Sequence, residues 1–417
     1  MLSVFISISV YITDIIILLL CFSWILEGQF KRKFLTIIQT PILWSTILFL
    51  IYFFISYNWS ESTMWNMTTQ KQVLILLLPV LYTLKFENSY LKIAKYGFIT
   101  GLSINVLLSL FTIIYPKNSF FKRGHYEDNL FAHGFLDHFD YSIFLCFGIL
   151  VLLSLYKMKR PMLHLVLILV LITALLNSYG RIGIIAFCVF FPISILMQSN
   201  SRFNYIFLFS TLFFIVISFY TFSPFKNRII QTVHNIEKIY NPLSLEDKIE
   251  LDAIYLSNQD SLTKEFYIEK IKKDAEWVKY IENKKPQHNT SIGQRYIYTK
   301  NSFLIAKKNP VFGFGANQFQ HIYQSIFNYK NIKHPHNNFI FIIIELGLVG
   351  LFLVLLIFWF HIKQFFQSNK KSFLQFVFPL FFMLIMCADN YFLNHNTLTL
   401  FCLFSFLIFK NTNYISS

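Results

Sequence analysis

Charge is what this sequence has least of. Asp, Glu, Lys and Arg make up 14% of its 417 residues, against about 25% in soluble domains. The deficit is spread along the chain, because long uncharged runs recur from Leu2 to Phe409. A run of about 18 to 20 apolar residues is what the hydrocarbon core of a bilayer demands, so a soluble globular fold is excluded. Acidic residues are scarcer than basic ones, 21 against 36, which leaves a net charge of +15. In a multi-spanning membrane protein that excess concerns topology and anionic partners at the surface. No nucleic-acid recognition motif accompanies it. Cysteine is scarce too. Cys21, Cys146, Cys188, Cys387 and Cys402 lie in apolar segments without CxxC or Cys/His spacing, so neither a zinc site nor a disulfide framework is indicated. A basic n-region is missing at the N-terminus, where the apolar run from Met1 ends at Glu27. A retained first helix is expected there, not a cleaved signal peptide.

What remains reads as an all-α integral membrane protein. About eleven spans are expected by length, at Leu2–Leu26, Phe34–Tyr57, Val73–Leu84, Tyr96–Tyr115, Tyr141–Leu155, Pro161–Asn177, Ile182–Gln198, Tyr205–Phe222, Asn338–His361, Ser372–Ala388 and Thr397–Phe409. Alternation through these spans puts Lys31–Lys33, Lys85 with Lys92 and Lys95, Lys157–Arg160, Arg202, Lys363 with Lys370 and Lys371, and Lys410 on one face. The positive-inside rule makes that face cytoplasmic, with Met1 outside and Ser417 inside. The opposite face receives one large external loop. The chain therefore divides into an N-terminal bundle (1–222), a large loop (223–337) and C-terminal spans (338–417).

The stretch from Lys333 to Gly350 concentrates the polar chemistry. His334, His336, Asn337 and Asn338 stand where an almost wholly apolar run begins. Imidazole exchanges a proton near neutrality, so the cluster is a candidate for chemistry; an interfacial loop that tolerates histidines gives the same local pattern. Within the large loop, the Lys- and Glu-rich segment Leu245–Gln287 reads as amphipathic helix with a solvated charged face. Ser291 to Gln294 fits a capping box that starts a helix running to about Lys308, where Asn309-Pro310 stops it. Arg295 falls in its first turn, where the guanidinium and the helix dipole both favour an anion; pairing with Glu282 or a lipid headgroup is equally open. Gly313-Phe-Gly315 makes a tight turn but lacks the third glycine of a dinucleotide fingerprint. Arg181, in Asn177-Ser-Tyr-Gly-Arg-Ile-Gly183, sits at the end of a span, where ionisable residues face a wet cavity or snorkel to headgroups. Lys122, Arg123, His125, His133, His138 and Asp140 share that side, too loosely spaced to define a metal site.

These motifs together resemble the O-antigen ligase and polymerase superfamily of bacterial envelope glycan assembly. The ligase signature there is a His followed by Asn, Ser or Pro, then nine residues, then a glycine opening a G-x-x-G step. His336-Asn337, Asn338 through Leu346 and Gly347-Leu-Val-Gly350 fit that spacing. Members also carry an arginine after a small-residue turn, matched by Ser178-Tyr-Gly-Arg181. A second arginine opens the helix before a Pro-x-x-Gly-x-Gly turn, matched by Arg295 and Pro310–Gly315. The family is expected to have about twelve spans with both ends inside, which sets the expected fold at about 11–12 transmembrane helices. The stretch Thr232–His288 is longer than the family pattern suggests.

The resemblance implies a donor glycan on an undecaprenyl pyrophosphate carrier and a lipid A-core acceptor, used at the periplasmic face of the bacterial inner membrane. Membrane lipids surround the chain, and no cofactor, ATP or metal is required by the scheme. Arg181 and Arg295 are expected to clamp the pyrophosphate, as arginine does elsewhere. His336 is the expected base for the acceptor hydroxyl. Asn337 is expected to orient the imidazole or a hydroxyl, with His334 as an accessory. The same parts suit an O-antigen polymerase or a protein O-oligosaccharyltransferase. A lipid-linked glycan transporter is the non-enzymatic alternative, disfavoured by the lack of internal repeats and by special residues gathered on one face.

Overall fold

The computed structural model describes residues 1–62, 71–114, 133–155, 161–178, 180–197, 263–278, 291–327, 332–369 and 371–410, with scattered positions between 209 and 256. Among these the chain forms helices and short 3-10 turns and no strand, as the composition requires. The first part holds α1 (Leu2–Phe5), α2 (Val10–Leu26), α3 (Phe30–Gln39), α4 (Pro41–Ile55), α5 (Leu77–Thr83), α6 (Asn88–Ile114), α7 (His138–Leu155), α8 (Pro161–Leu176) and α9 (Arg181–Leu196). After it come α10 (Lys264–Lys273), α11 (Ser291–Ala306), α12 (Phe319–Phe327), α13 (Asn338–Gln367), α14 (Phe373–Ala388) and α15 (His395–Phe409). Pro41–Trp59, Asn88–Phe111 and Asn338–Gln367 are long and apolar enough to cross a membrane, and α2 with α3 passes the same test as a pair bent by 113°. The shorter apolar helices α5, α7, α8, α9, α14 and α15 fall where further spans were expected. The expected span Tyr205–Phe222, apart from isolated helical positions, and the basic loops at Lys157–Arg160 and Arg202 lie outside the described residues.

Two expected spans are corrected. Leu2–Leu26 is not one helix: it breaks after Phe5 and restarts at Val10, with the Ser9 hydroxyl accepting from the Ile12 amide at 3.4 Å. The α1 end lies so close to α6 that a Cβ at Gly101 would meet the Val4 carbonyl oxygen at 2.0 Å. The second span begins at Pro41, not Phe34. Residues 30–39 form a separate amphipathic helix, and Thr40 is extended at φ −103° because proline disfavours helix in the residue before it. Pro41 then serves as a first helical residue, where its missing N–H costs nothing.

Two of the basic groups expected on one face, Lys31–Lys33 and Lys410, do gather, at the end of α5. Arg32 donates to the Thr83 carbonyl at 3.0 Å and pairs with Glu27 at 3.1 Å. Lys410 donates to the Leu84 carbonyl at 2.7 Å. Lys33, with its side chain only 1% exposed, pairs with Glu27 at 3.1 Å and lies over the Trp24 ring at 4.6 Å. Cations thus sit at the carboxyl ends of α2, α5 and α15, where the exposed carbonyls favour them.

Two compact units are present, Met1–Lys226 with Ile305–Ser417, and Asn227–Leu304. Of the segment 223–337, residues 227–304 make up the smaller unit and residues 305–337 belong to the larger one. The smaller unit has its own core of Ile249, Ala253, Tyr267 and Ile271. Tyr267 and Ile271 are one helical turn apart on α10, which Thr263 caps, as an amphipathic reading of this segment predicts. In the larger unit the interior is dense with phenylalanine: Phe147 and Phe404 lie 4.7 Å apart edge to face, and Phe378 stacks on Phe401 at 5.5 Å.

Candidate active site

The polar stretch 333–338 and the turn 389–396 meet at one end of the larger unit. Pro335 disfavours helix at His334 before it, and Asn337, a favoured N-cap residue, starts α13. Its side-chain oxygen accepts from the Ile340 amide at 3.1 Å, and its amide donates to the Cys387 carbonyl at 3.0 Å. One asparagine thus ties the start of α13 to the end of α14. Asn338, fully buried, continues the tie: it donates to the Asn390 side chain and accepts from the Phe392 amide at 2.9 Å.

Between these anchors His336 adopts a left-handed backbone, φ +56°. That region is unusual for a side chain other than glycine, although histidine is enriched there, and such conformations cluster at functional sites. The imidazole meets Asp389: Nδ1 lies 3.1 Å from both carboxylate oxygens. His334 Nδ1 is 3.7 Å from the same carboxylate, and the two rings pack at 4.5 Å between centroids. Asp389 is 11% exposed, His336 28% and His334 31%, so the pair is sheltered yet reachable from solvent. Asp389 is itself held by the Asn390 amide at 2.7 Å.

The turn carrying Asp389 is pinned from behind. Asn394 and Asn396 each donate to one oxygen of Asp140, both at 2.8 Å, and Asp140 is 1% exposed. His395, between them, reaches Asp14 at 2.6 Å. Asp140 stands in the first turn of α7. Two residues on, Ser142 abuts α9 so closely that a Cβ at Gly183 would meet its carbonyl oxygen at 2.3 Å. Arg181, the first residue of α9, therefore belongs to the same end of the unit as Asp389.

A second device shapes α13. At Gly347 the helix breaks, with φ +67° and ψ −168°, a combination essentially reserved for glycine. The segment Pro310–Gly315 lies against the break. Phe314 and Gly315 amides donate to the carbonyls of Ile344 and Glu345 at 2.9 and 2.8 Å, and the Leu348 amide donates to Pro310 at 2.8 Å. Gly313 and Gly315 have φ of +70° and +94°. From α4, Tyr52 donates to the Leu346 carbonyl at 3.0 Å, and the 3-10 turn after α4 binds Ala316 through Ser56. The two glycine motifs, read separately in the sequence, are one contact.

Of the expected residues, His334, His336 and Asn337 are brought together. Arg181 is at their end of the unit. Arg295 lies in the first turn or so of α11, on the Asn227–Leu304 unit. Ser291 is already helical, so the helix starts earlier than a cap at that residue predicts, and it ends at Ala306, short of Lys308. Lys122, Arg123, His125, Tyr179 and the side chains of His138 and Ser291 lie outside the described residues. Asp389 was missed: nothing in its own neighbourhood marks it, and it is 53 residues from His336. With it, His334, His336 and Asp389 make a three-ligand group whose donor atoms all lie within 4.8 Å, a cluster that spacing along the chain did not reveal.

No curated protein matches the chain. Residues 165–355 match the family model described as O-antigen ligase. The match begins within α8, takes in α9 with Arg181 and α11 with Arg295, and covers the His336–Gly347 stretch of α13 and its entry loop. Taken with the apolar helices, the match makes this a multi-pass bacterial inner-membrane protein that carries a region similar to O-antigen ligase over residues 165–355.

Proposed function

We propose that the protein transfers a glycan from an undecaprenyl pyrophosphate carrier to a sugar hydroxyl of lipid A-core, at a site facing the periplasm. The observation that carries this reading is the His336–Asp389 pair, with Nδ1 3.1 Å from both carboxylate oxygens, inside a chain with a region similar to O-antigen ligase. A carboxylate accepting the Nδ1 proton selects the tautomer whose lone pair is on Nε2, and it stabilises the imidazolium once a second proton arrives. His336 Nε2 takes the proton of the acceptor hydroxyl. The hydroxyl oxygen attacks the anomeric carbon, and the bond from that carbon to the pyrophosphate oxygen breaks. The electron pair leaves with undecaprenyl pyrophosphate, and the proton stays on His336. Displacement from one face inverts the anomeric configuration.

Arg181 and Arg295 are assigned to the pyrophosphate because developing phosphate charge is what a guanidinium fork stabilises best. Asn337, with its side chain committed to the Ile340 amide and the Cys387 carbonyl, positions His336 by fixing the start of α13. The sugar–pyrophosphate bond supplies the driving force, so neither ATP nor a cofactor enters the scheme. The test is a deletion strain carrying wild-type or His336→Ala protein, read by lipopolysaccharide gel and carrier-lipid analysis. Polymer absent from lipid A-core and accumulating on the carrier supports the ligase. A single repeat unit still reaching the core assigns the protein to repeat-unit polymerisation instead. An unchanged ladder overturns both.

A further inference from the structure

We propose that His334, His336 and Asp389 form a binding site for a first-row divalent transition-metal ion of the zinc type, and that the ion inhibits the enzyme. The binding part stands on geometry alone; the inhibition rests on the reading of His336 as the base. Two imidazoles and one carboxylate are the ligand set that zinc, cobalt and nickel favour over magnesium or calcium. Tetrahedral zinc with bonds of about 2.0–2.1 Å sets its donors roughly 3.4 Å apart. His336 Nδ1 and Asp389 are 3.1 Å apart, and His334 Nδ1 and Asp389 are 3.7 Å apart, so two of the three separations already match. With one donor atom taken from each residue, either ring nitrogen for the histidines, all three lie within 4.8 Å of one another, so the widest separation exceeds that spacing by about 1.4 Å at most. Both rings are attached within one three-residue segment, His334-Pro335-His336, whose left-handed turn at His336 sets them against each other at 4.5 Å. The carboxylate comes from the opposite strand of chain, already anchored by the Asn390 amide. The His336 and His334 side chains are 28% and 31% exposed, so the group borders solvent.

Inhibition follows from which nitrogen the ion takes. As base, His336 keeps its proton on Nδ1, shared with Asp389, and its lone pair on Nε2. Coordination at Nδ1 moves the single ring proton to Nε2, and Asp389 turns from proton acceptor to metal ligand. Nε2 then carries a hydrogen and accepts nothing. Metal occupancy and base function exclude one another at this one imidazole, so the apo form is the active one.

The experiment uses the full chain purified in detergent, stripped with EDTA, and titrated with Co²⁺ while the visible ligand-field spectrum is recorded. The expected result is a four-coordinate band saturating at one ion per chain and displaced by Zn²⁺. It is lost in His334→Ala, His334→Gln and Asp389→Asn proteins that remain monodisperse, and it is retained in His395→Ala, which removes the nearby histidine paired with Asp14. No saturable band, or a band unchanged in the His334 and Asp389 variants, overturns the site. In a transfer assay Zn²⁺ is expected to abolish activity reversibly, with EDTA restoring it. Zinc bound with transfer unimpaired overturns the inhibition while leaving the site. If His336→Ala stays active, the base assignment falls, and the cobalt spectrum still decides the metal site.

Discussion

Replacing Asp389 by Asn tests the site at its least exposed member. The change is nearly isosteric, and the turn survives it, because one side-chain oxygen remains to accept from the Asn390 amide, now at 2.7 Å. With that oxygen so engaged, the new amide group presents N–H to His336 Nδ1, which must then accept. The ring proton shifts to Nε2, and the base is lost. The charge is lost as well. An imidazolium and a carboxylate about 4 Å apart interact by about 4 kcal/mol at an effective dielectric of 20, and the partial exposure of His336, 28%, lowers that. A fall in the transfer rate constant of about 10² to 10³ is expected, equivalent to about 2.7 to 4 kcal/mol of transition-state stabilisation. The assay is single-turnover transfer from carrier-linked donor to lipid A-core in detergent, with donor binding measured separately and expected to be unchanged. A rate within about threefold of wild type, with the protein folded, refutes the argument that the carboxylate sets the tautomer of His336.

Other outcomes follow from the same geometry. His336→Ala is expected to lower transfer by about 10² to 10⁴ with donor still captured, checked by the same single-turnover assay. Arg181→Lys keeps the charge but not the bidentate fork; it is expected to weaken donor capture in a binding measurement, and unchanged donor affinity sinks its assignment. Gly347→Ala puts a Cβ 2.1 Å from the Val311 carbonyl oxygen at φ +67°, which adds a steric clash to backbone strain of about 1–3 kcal/mol; a clear drop in thermal unfolding temperature in detergent is expected. Asp140→Ala strips the partner from the Asn394 and Asn396 amides. At about 1–3 kcal/mol for each buried donor left unsatisfied, the unfolding midpoint falls markedly, and transfer falls with it because the same turn carries Asp389.

What could be read from the chain alone is whatever local chemistry dictates. Apolar runs of bilayer length required membrane helices, because a backbone in lipid must satisfy its own hydrogen bonds. Asn337 before an apolar run marked the start of α13, because an N-cap acts on amides two or three residues away. The paired glycines at 313, 315 and 347 and the His336-Asn337 step were visible as motifs. Tertiary structure decided the rest. It alone showed that the two glycine motifs are one contact, that the first span is broken, and that residues 30–39 leave the second. It alone supplied Asp389, and Asp140 behind it, because a carboxylate chooses its partner by distance in space and nothing in its own sequence neighbourhood records a histidine 53 residues away. Local rules act over a turn of helix, whereas the pairing that makes His336 a candidate base is a product of how α13, α14 and α7 pack.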